Sequence, residues 1–165
     1  MSWLPGADPS LPAFESFLAQ RPELLTLYKR FYGTHWDDNL LPRRVLELCR
    51  TRVAQLHDCQ AELAIRDASA GVSESDYDAI ADWEHSPCFS APEKSALAIA
   101  EKMPWRHHDL EDSEYAELRN HFDEPQVVAL TVALALFDAN CRLRLVFELT
   151  PSPALSAPTA SGPLH

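Results

Sequence analysis

The sequence feature that most constrains the fold is a long apolar segment from Asp123 to Leu149, DEPQVVALTVALALFDANCRLRLVFEL. Acids and Pro125 stand at its start, and Arg142 and Arg144 stand towards its end, which is the order that a helix dipole favours. Its apolar run VVALTVALALF has eleven residues, well below the roughly 20 that are needed to cross a bilayer. The segment therefore predicts a helix at the centre of the core or in an oligomer interface.

The rest of the chain shows the same helical pattern in shorter segments. Apolar residues recur at three- and four-residue steps over residues 12–36, which indicates two short helices. Ser73 with Asp76, and Ser90 with Glu93, pair a serine with an acid three residues later, which is typical of helix starts. Internal repeats and long strand-like alternation are absent from the sequence. We therefore predict an all-α, single-domain helical bundle of about seven or eight helices.

Two terminal segments are predicted to lie outside the bundle. Residues 1–12 carry three prolines, which favours an extended arm before a helical domain of residues 13–149. Residues 150–165 are rich in proline, serine and alanine, so we expect a disordered tail. The first residues contain neither a basic leader nor an uninterrupted apolar stretch, and a cytoplasmic location is the default expectation.

The charge and the cysteines argue against several classes of partner. The formal net charge is -11, whereas a nucleic-acid surface needs clustered lysine and arginine. Nucleic acid and membranes are therefore not expected partners. The four cysteines form no CxxC pair and no set with histidine at zinc-finger spacing. We expect no metal or other cofactor, and free thiols in a reducing compartment.

The predicted chemistry is concentrated at a polar break, His57-Asp58, between two helical segments. Asp58 is a suitable N-cap for a helix that begins at Cys59, and the positive end of that helix would favour the thiolate. Asp58 and Glu62 would oppose this change in pKa by like charge. His57 and Arg66 would offset them, and the sequence leaves the balance open. Cys59 is either a reactive thiol or a small buried hydrophobic residue.

The other candidate residues also have structural alternatives. Glu47 would serve in a proton relay or as a solvated helix residue paired with a nearby arginine. It precedes Cys59 by twelve residues, which is about 18 Å of rise on one straight helix, so only a turn could join them. His57 would be a general base or a polar turn residue. Glu62 and Arg66 stand four apart, the spacing of a surface ion pair.

Two further cysteines have a simpler interpretation. Cys49 and Cys141 stand on apolar faces of predicted helices. Free cysteine is among the residue types most often buried. Both are therefore predicted core residues.

Three stretches carry a resemblance to a known family: ELCRTRVAQLHDC, DWEHSPCFSAPEKSALAIAEKM and YAELRNHFDEPQVVALTVALALFDANCRLRLVF. They resemble the alkylhydroperoxidase D-like branch of the carboxymuconolactone decarboxylase family, and the similarity covers roughly residues 40–148. The resemblance implies an all-helical fold and obligate assembly into trimers or hexamers. In active members it also implies antioxidant thiol peroxidase chemistry.

Active members of that family carry a glutamate, then a CxxC pair whose first cysteine comes twelve residues later, then a histidine four residues after the second cysteine. In this register Glu47 takes the glutamate position and Cys59 the first cysteine. Glu62 takes the position of the second cysteine and Arg66 that of the histidine. An alignment backwards from Gly71 places Cys59 on the second cysteine instead. Neither register recovers a CxxC pair or its histidine.

These departures leave three hypotheses. The two-cysteine cycle is lost unless Cys49, Cys88, Cys141 or another subunit supplies the partner thiol. A one-cysteine cycle stays open, in which Cys59 attacks a peroxide and an external thiol reduces the sulfenic acid, with His57 as base. It requires that the sulfur faces an accessible hollow. The alternatives are a catalytically silent oligomeric binding or scaffolding protein, and decarboxylase-type chemistry on a small acid, which the acidic field disfavours.

Overall fold

The computed structural model of the protein describes residues 8, 10–37 and 40–149. Within these residues the chain forms eight α-helices, three short 3-10 turns and no β-strand, which confirms the all-α prediction. The helices in chain order are α1 (Ala13–Leu18), α2 (Pro22–Asp37), α3 (Arg43–Leu56), α4 (Gln60–Leu63), α5 (Glu74–Ala79), α6 (Ala91–Lys102), α7 (Asp112–Arg119) and α8 (Glu124–Val146). The 3-10 turns are Ala68–Ala70, Ile80–Asp82 and His107–Asp109.

Most of the predicted N-terminal arm and all of the predicted tail, residues 150–165, lie outside the described residues. Helix α1 begins at Ala13, and the described chain ends at Leu149. The division into an arm, a helical domain and a tail therefore stays a prediction.

Capping residues place several helix starts where the sequence predicts them. Capping boxes of Ser73 with Asp76 and of Ser90 with Glu93 begin α5 and α6. Arg44 of α3 donates to both acids, at 2.9 Å to Asp76 and 2.7 Å to Glu93. Arg44 thereby links the first turns of α5 and α6 to α3.

Helix α3 packs against both α6 and α8 and lies at the centre of the bundle. The main core is built from fully buried residues of these helices and of α7: Leu46, Cys49, Val53, Ala96, Ile99, Ala100, Leu118, Leu130 and Leu134. A second core cluster consists of Leu48, Tyr77, Ile80, Phe89 and Leu97. Because α3 contributes to both clusters, any charged residue on its buried sides must be paired.

Helix α8 is the 23-residue helix expected from the long apolar segment. Leu134, Phe137 and Cys141 are buried, whereas Val128 and Val146 are exposed. By length and composition α8 is apolar enough to cross a membrane, with a mean hydropathy of 1.4 over an 18-residue window. Core helices of soluble proteins meet the same criteria, and α8 packs against α3. It is a core helix with an exposed apolar side.

Candidate active site

The chain turns sharply after α3, at the predicted polar break. The backbone N–H of Asp58 donates to the Gln55 carbonyl at 3.0 Å, and that of Cys59 donates to the Ala54 carbonyl at 2.9 Å. These two bonds form a Schellman motif, which requires a left-handed residue between them. Asp58 takes that conformation with φ 50°, and aspartate is one of the few residue types other than glycine that do so. The motif redirects the chain from α3 into α4.

The predicted capping role of Asp58 is wrong. The N-cap of α4 is Cys59 itself, and α4 contains only the four residues Gln60–Leu63. Asp58 has the left-handed backbone that ends α3, and an N-cap residue needs an extended one. A helix of four residues also has little dipole, because the aligned peptide units are few. The acidity of the Cys59 thiol must therefore come from its neighbours.

Three side-chain contacts join the segment 57–62 to one side of α8. The partners on α8 are spaced three residues apart, so they lie on one face of the helix. The contacts are His57 Nε2 with Asp138 Oδ1 at 2.6 Å, the thiol of Cys59 with that of Cys141 through a hydrogen bond, and Arg144 Nε with Glu62 Oε1 at 2.5 Å. The segment that follows the turn is thus held in a fixed register against α8.

The Cys59 thiol lies inside the protein and faces a second thiol. Cys59 and Cys141 are each 1% exposed, so the expectation of an open hollow around the sulfur is wrong. The register against α8 closes this space. The hydrogen bond from Cys141, together with lesser effects, lowers the pKa of Cys59 to about 7. The pKa of Cys141 is raised, first because its proton is held in that bond and then by burial.

The remaining influences on Cys59 oppose one another. Burial and the negative charge of Glu62 raise the pKa of the Cys59 thiol, whereas the Glu62 backbone N–H and the positive charge of Arg144 lower it. The same Glu62 N–H donates to the Cys59 carbonyl at 3.0 Å, so its effect on the sulfur is a secondary one. The net result is a site in which Cys59 becomes a thiolate near neutral pH while Cys141 keeps its proton.

A buried ionic network lies beside the thiols. Arg50 donates to both oxygens of Glu47, at 2.8 and 2.7 Å, and to Glu62 Oε2 at 3.1 Å. Arg144 binds the other oxygen of Glu62, and the Tyr77 hydroxyl donates to Glu47 at 2.7 Å. Two carboxylates and two guanidinium groups neutralise one another. Unpaired buried charges are strongly unfavourable. The pairing therefore explains why these charged residues can be buried, with exposed fractions of 0% for Glu47, 2% for Arg50 and 3% for Glu62.

The structure changes the interpretation of Glu47 and Glu62. Glu47 is paired with Arg50, one of the neighbouring arginines, but it is fully buried and not a solvated helix residue. The predicted surface pair of Glu62 with Arg66 is wrong, because α4 ends at Leu63 and Arg66 is not on the same helix. Arg66 instead pairs with Glu74 at 3.2 Å. Glu62 and Glu47 are linked because both bind Arg50, and the charge of Glu62 also acts on the Cys59 thiol.

His57 belongs to a separate cluster at the edge of the site. Its imidazole bonds to Asp138, and its ring lies 4.8 Å from that of Trp105, measured between centroids. Arg142 donates to Asp138 at 2.9 Å and lies 4.4 Å from the Trp105 ring centroid. His57 is two residues before Cys59 in the sequence, but its imidazole ring is bonded to Asp138. Its role as a base stays a prediction.

Helices α1 and α2 cover the charged end of the site. The Arg144 guanidinium lies 4.4 Å from the centroid of the Phe14 ring. Tyr28 is hydrogen-bonded to Asn140, and burial followed by the charge of Glu62 raises its pKa. Asn140 is itself buried. The side chains of α1 and α2 therefore separate Glu62 and Arg144 from solvent.

Within the described residues, the structure contains no group of three or more histidine, cysteine, aspartate or glutamate side chains placed to hold a metal ion. His107 and His108 are adjacent in a 3-10 turn. The functional groups of the site are thiols, carboxylates and guanidinium groups.

Comparison with known proteins agrees with this architecture. The sequence model of the carboxymuconolactone decarboxylase family matches residues 22–102, which include the turn, Glu47, Cys59 and Glu62. Over these residues the chain is similar to the carboxymuconolactone decarboxylase family. The match ends before α8, so Cys141 and Arg144 lie outside the part of the chain that the family pattern covers.

Solved structures of relatives share the AhpD-like fold. A protein of unknown function from Agrobacterium tumefaciens, provisionally described as an AhpD antioxidant defence protein, aligns with a TM-score of 0.73 at 18% identity, over 84% of this chain and 97% of its own. An uncharacterized peroxidase-related protein from Silicibacter aligns at 0.74 and 17% identity, over 91% and 90%. One from Ralstonia eutropha with an alkylhydroperoxidase AhpD core aligns at 0.62 and 18%, over 86% and 77%. At these identities the likeness establishes the fold.

One curated relative is similar in sequence. It is the uncharacterized protein YnjA of Escherichia coli, which is 29% identical over 110 residues. The match covers 64% of this chain and 59% of that protein. The chain therefore spans about three fifths of this relative's length.

Three residues of the site, all in the ionic network, were missed as functional residues in the sequence. Cys141 was one of the candidates for a partner thiol, and it is the cysteine that lies beside Cys59. Arg50, Tyr77 and Arg144 complete the ionic network. A signal was present in α8, where a charged residue, a cysteine and another charged residue recur at three-residue steps in an otherwise apolar helix.

Proposed function

We propose that this protein is a thiol-dependent peroxidase of the carboxymuconolactone decarboxylase family in which Cys59 is the reacting thiol. The observation that carries the proposal is the hydrogen-bonded pair of Cys59 and Cys141, in which the pKa of Cys59 is lowered to about 7. The thiolate is the nucleophilic form of cysteine. A cysteine with this pKa is substantially ionised at neutral pH, whereas an ordinary one is mostly protonated.

The reaction at Cys59 would consume a hydroperoxide. The Cys59 thiolate attacks one peroxide oxygen, the O–O bond breaks, and an S–O bond forms to give a sulfenic acid. The departing alkoxide takes up a proton and leaves as an alcohol. The positive charge of Arg144 acts on Cys59 and favours the thiolate that attacks the peroxide. An external thiol then condenses with the sulfenic acid to give a mixed disulfide and water, and a second external thiol releases Cys59 by exchange. This reductant fits the expected reducing compartment.

The burial of Cys59 requires a route for the substrate. Helix α2 packs against α1 and α8, and Phe14 and Tyr28 cover Arg144 and Asn140. A displacement of α1 and α2 would uncover this end of the site without disturbing the packing of α3 against α6. Motions of such surface elements occur on microsecond to millisecond timescales.

A substitution of Cys59 tests the proposal. Purified protein is incubated with tert-butyl hydroperoxide and dithiothreitol, and the peroxide that remains is measured. We expect consumption to fall to the uncatalysed rate in Cys59→Ser and to be retained in Cys88→Ser, the matched control, because Cys88 is exposed and lies outside the site. Equal consumption by wild type and Cys59→Ser would remove Cys59 from the mechanism.

A binding or scaffolding role is the second candidate, and an exposed apolar surface supports it. Phe31 of α2 and Val128 of α8 are exposed. They line a shallow groove of about 610 Å³ together with Leu40 and Val132. Exposed apolar patches of this kind are typical of protein interfaces. The occupant that we propose is a second copy of this chain, as the expected trimer or hexamer requires.

The oligomeric state tests this second candidate. We expect wild type to be larger than a monomer by light scattering, and Val128→Asp to shift it towards the monomer. Lys29→Asp is a control on α2, since Lys29 pairs with Glu15 and is not part of the groove. A monomeric wild type would contradict self-association. An oligomer whose Cys59 stays unmodified by alkylating reagents in the folded protein would favour a purely structural role.

Decarboxylase-type chemistry on a small acid has weaker support. A small carboxylate would need a free cation in the site, whereas Arg50 and Arg144 are both bound to the carboxylates of the network. The expected result is no rise in melting temperature across a panel of small carboxylic acids. A clear rise with one of them would favour this chemistry over the peroxidase.

A further inference from the structure

The thiols of Cys59 and Cys141 meet across the contact between the start of α4 and the last third of α8. We propose that Cys141 is the resolving thiol of this protein: it closes a disulfide with the oxidised Cys59. The inference rests on the peroxidase function proposed above and assigns a second reacting residue to it. No CxxC pair is needed, because the partner thiol comes from a helix 82 residues away.

The geometry of the surrounding contacts favours this disulfide. A disulfide needs Cα atoms closer than about 7 Å, with the side chains directed at each other. Cys59 and Cys141 are both buried in the same core cluster, and the hydrogen bond that shifts their pKa values places the two thiols beside each other. The contacts on either side, His57 with Asp138 and Glu62 with Arg144, hold the two backbones in register. These flanking contacts therefore keep the two cysteines beside each other while the S–S bond forms.

The other two cysteines are poorer partners. Cys88 is exposed, and its backbone N–H is bonded to Ser86 in the loop before α6. Cys49 is fully buried on α3, and burial raises the pKa of its thiol. Cys141 is the cysteine whose thiol is hydrogen-bonded to Cys59.

In the register that places Cys59 on the first family cysteine, Glu62 takes the position of the second cysteine. Glu62 binds Arg144, which follows Cys141 by three residues on the same face of α8. The Glu62 carboxylate thereby helps to hold the Cys141 thiol against Cys59.

The chemistry balances without any group beyond those of the proposed cycle. A hydroperoxide oxidises the Cys59 thiolate to a sulfenic acid, and an alcohol leaves. The Cys141 sulfur then attacks the Cys59 sulfur, the S–O bond breaks, an S–S bond forms, and the thiol proton leaves with the hydroxyl as water. A dithiol reductant exchanges with this disulfide, restoring both thiols and becoming a disulfide itself.

Identification of the oxidised products tests the proposal. Full-length protein is treated with one equivalent of tert-butyl hydroperoxide in the presence or absence of dimedone, which traps sulfenic acids. Remaining thiols are alkylated after unfolding, and peptides are identified by mass spectrometry. The variants are Cys141→Ser and the matched control Cys49→Ser, which changes another buried thiol of the same core cluster. Circular dichroism confirms that each variant is folded.

We expect wild type and Cys49→Ser to give a Cys59–Cys141 disulfide that dithiothreitol reverses. In Cys141→Ser, Cys59 is still oxidised but accumulates as the dimedone adduct, at least tenfold above wild type. A disulfide from Cys59 to another cysteine or another chain, or an equally long-lived sulfenic acid in wild type, would overturn the role of Cys141 while leaving the peroxidase proposal in place. An unmodified Cys59 in every folded protein would overturn both.

Discussion

The substitution Arg50→Met tests the idea that a buried ionic network holds the turn after α3 in place. Arg50 is the cation shared by Glu47 and Glu62. It also donates to the carbonyl oxygens of Glu62 and Ile65, at 2.7 and 3.0 Å. Methionine has a similar length and no donor. The substitution therefore leaves two carboxylates with fewer partners and removes the donor of two carbonyls.

The expected loss of stability can be worked from these contacts. Removing one partner of a buried ion pair costs about 3–5 kcal/mol, because the other charge is left buried and uncompensated. The two lost hydrogen bonds from the charged guanidinium to carbonyl oxygens add to this cost. Arg144 still binds Glu62 and offsets part of the loss. We expect a decrease of about 4 kcal/mol in the free energy of unfolding, a large share of the roughly 5–15 kcal/mol of a typical domain.

Urea unfolding followed by circular dichroism at pH 7 measures this loss. The matched control is Arg119→Met, since Arg119 also lies on a helix but forms an exposed pair with Glu124 at 3.5 Å. Exposed pairs contribute about 0–1 kcal/mol. The double variant Arg50→Met with Glu47→Gln should recover part of the loss, because it removes one of the uncompensated charges. Equal unfolding midpoints for Arg50→Met and Arg119→Met would refute the reasoning.

Three further substitutions test other parts of the structure. Cys141→Ala removes the hydrogen bond that most lowers the pKa of Cys59, so the pKa of Cys59 should rise from about 7 towards 9, as read from the pH dependence of its alkylation; an unchanged profile would contradict this cause. Arg44→Ala should lower the free energy of unfolding by about 1 kcal/mol after allowance for solvent screening. Because the Arg44 bond holds the pKa of Asp76 at about 2 instead of 3.8, this contribution is present above pH 4 and is lost as the pH falls through about 2. Acid titrations of stability that run parallel in wild type and variant would contradict it. Asp58→Gly should stabilise the protein by about 0.5–1 kcal/mol in thermal melting, because glycine adopts a positive φ without steric cost; destabilisation would show that the bond from Gln60 to the Asp58 carboxylate, at 2.7 Å, outweighs that gain.

The fold was predictable because its signals are local. The apolar periodicity of α8 and the capping boxes at Ser73 and Ser90 depend on residues within one or two turns of each other. The position of the turn was predicted correctly. Asp58 was expected to begin the helix after the turn, whereas its left-handed backbone ends α3. A left-handed aspartate that ends one helix and an extended aspartate that begins the next have the same sequence context, and only the backbone distinguishes them.

The site was only partly predictable because its contacts join distant segments. Cys59 and Glu47 were identified through the spacing of the family motif, but their partners could not be. Cys141 stands on an apolar helix face, and its burial is correctly predicted from that position. Its contact with Cys59 depends on how α8 packs against the turn. The pairing of Glu62 with Arg144 likewise spans 82 residues.

The titration of the Cys59 thiol tests the central claim most directly. Thiolate absorbance near 240 nm is recorded as a function of pH for wild type and for Cys59→Ser, and the difference between the two curves isolates Cys59. The account predicts a midpoint at about pH 7. A midpoint near 9, the ordinary value for a thiol, would contradict it, since Cys141 would then not be favouring the Cys59 thiolate.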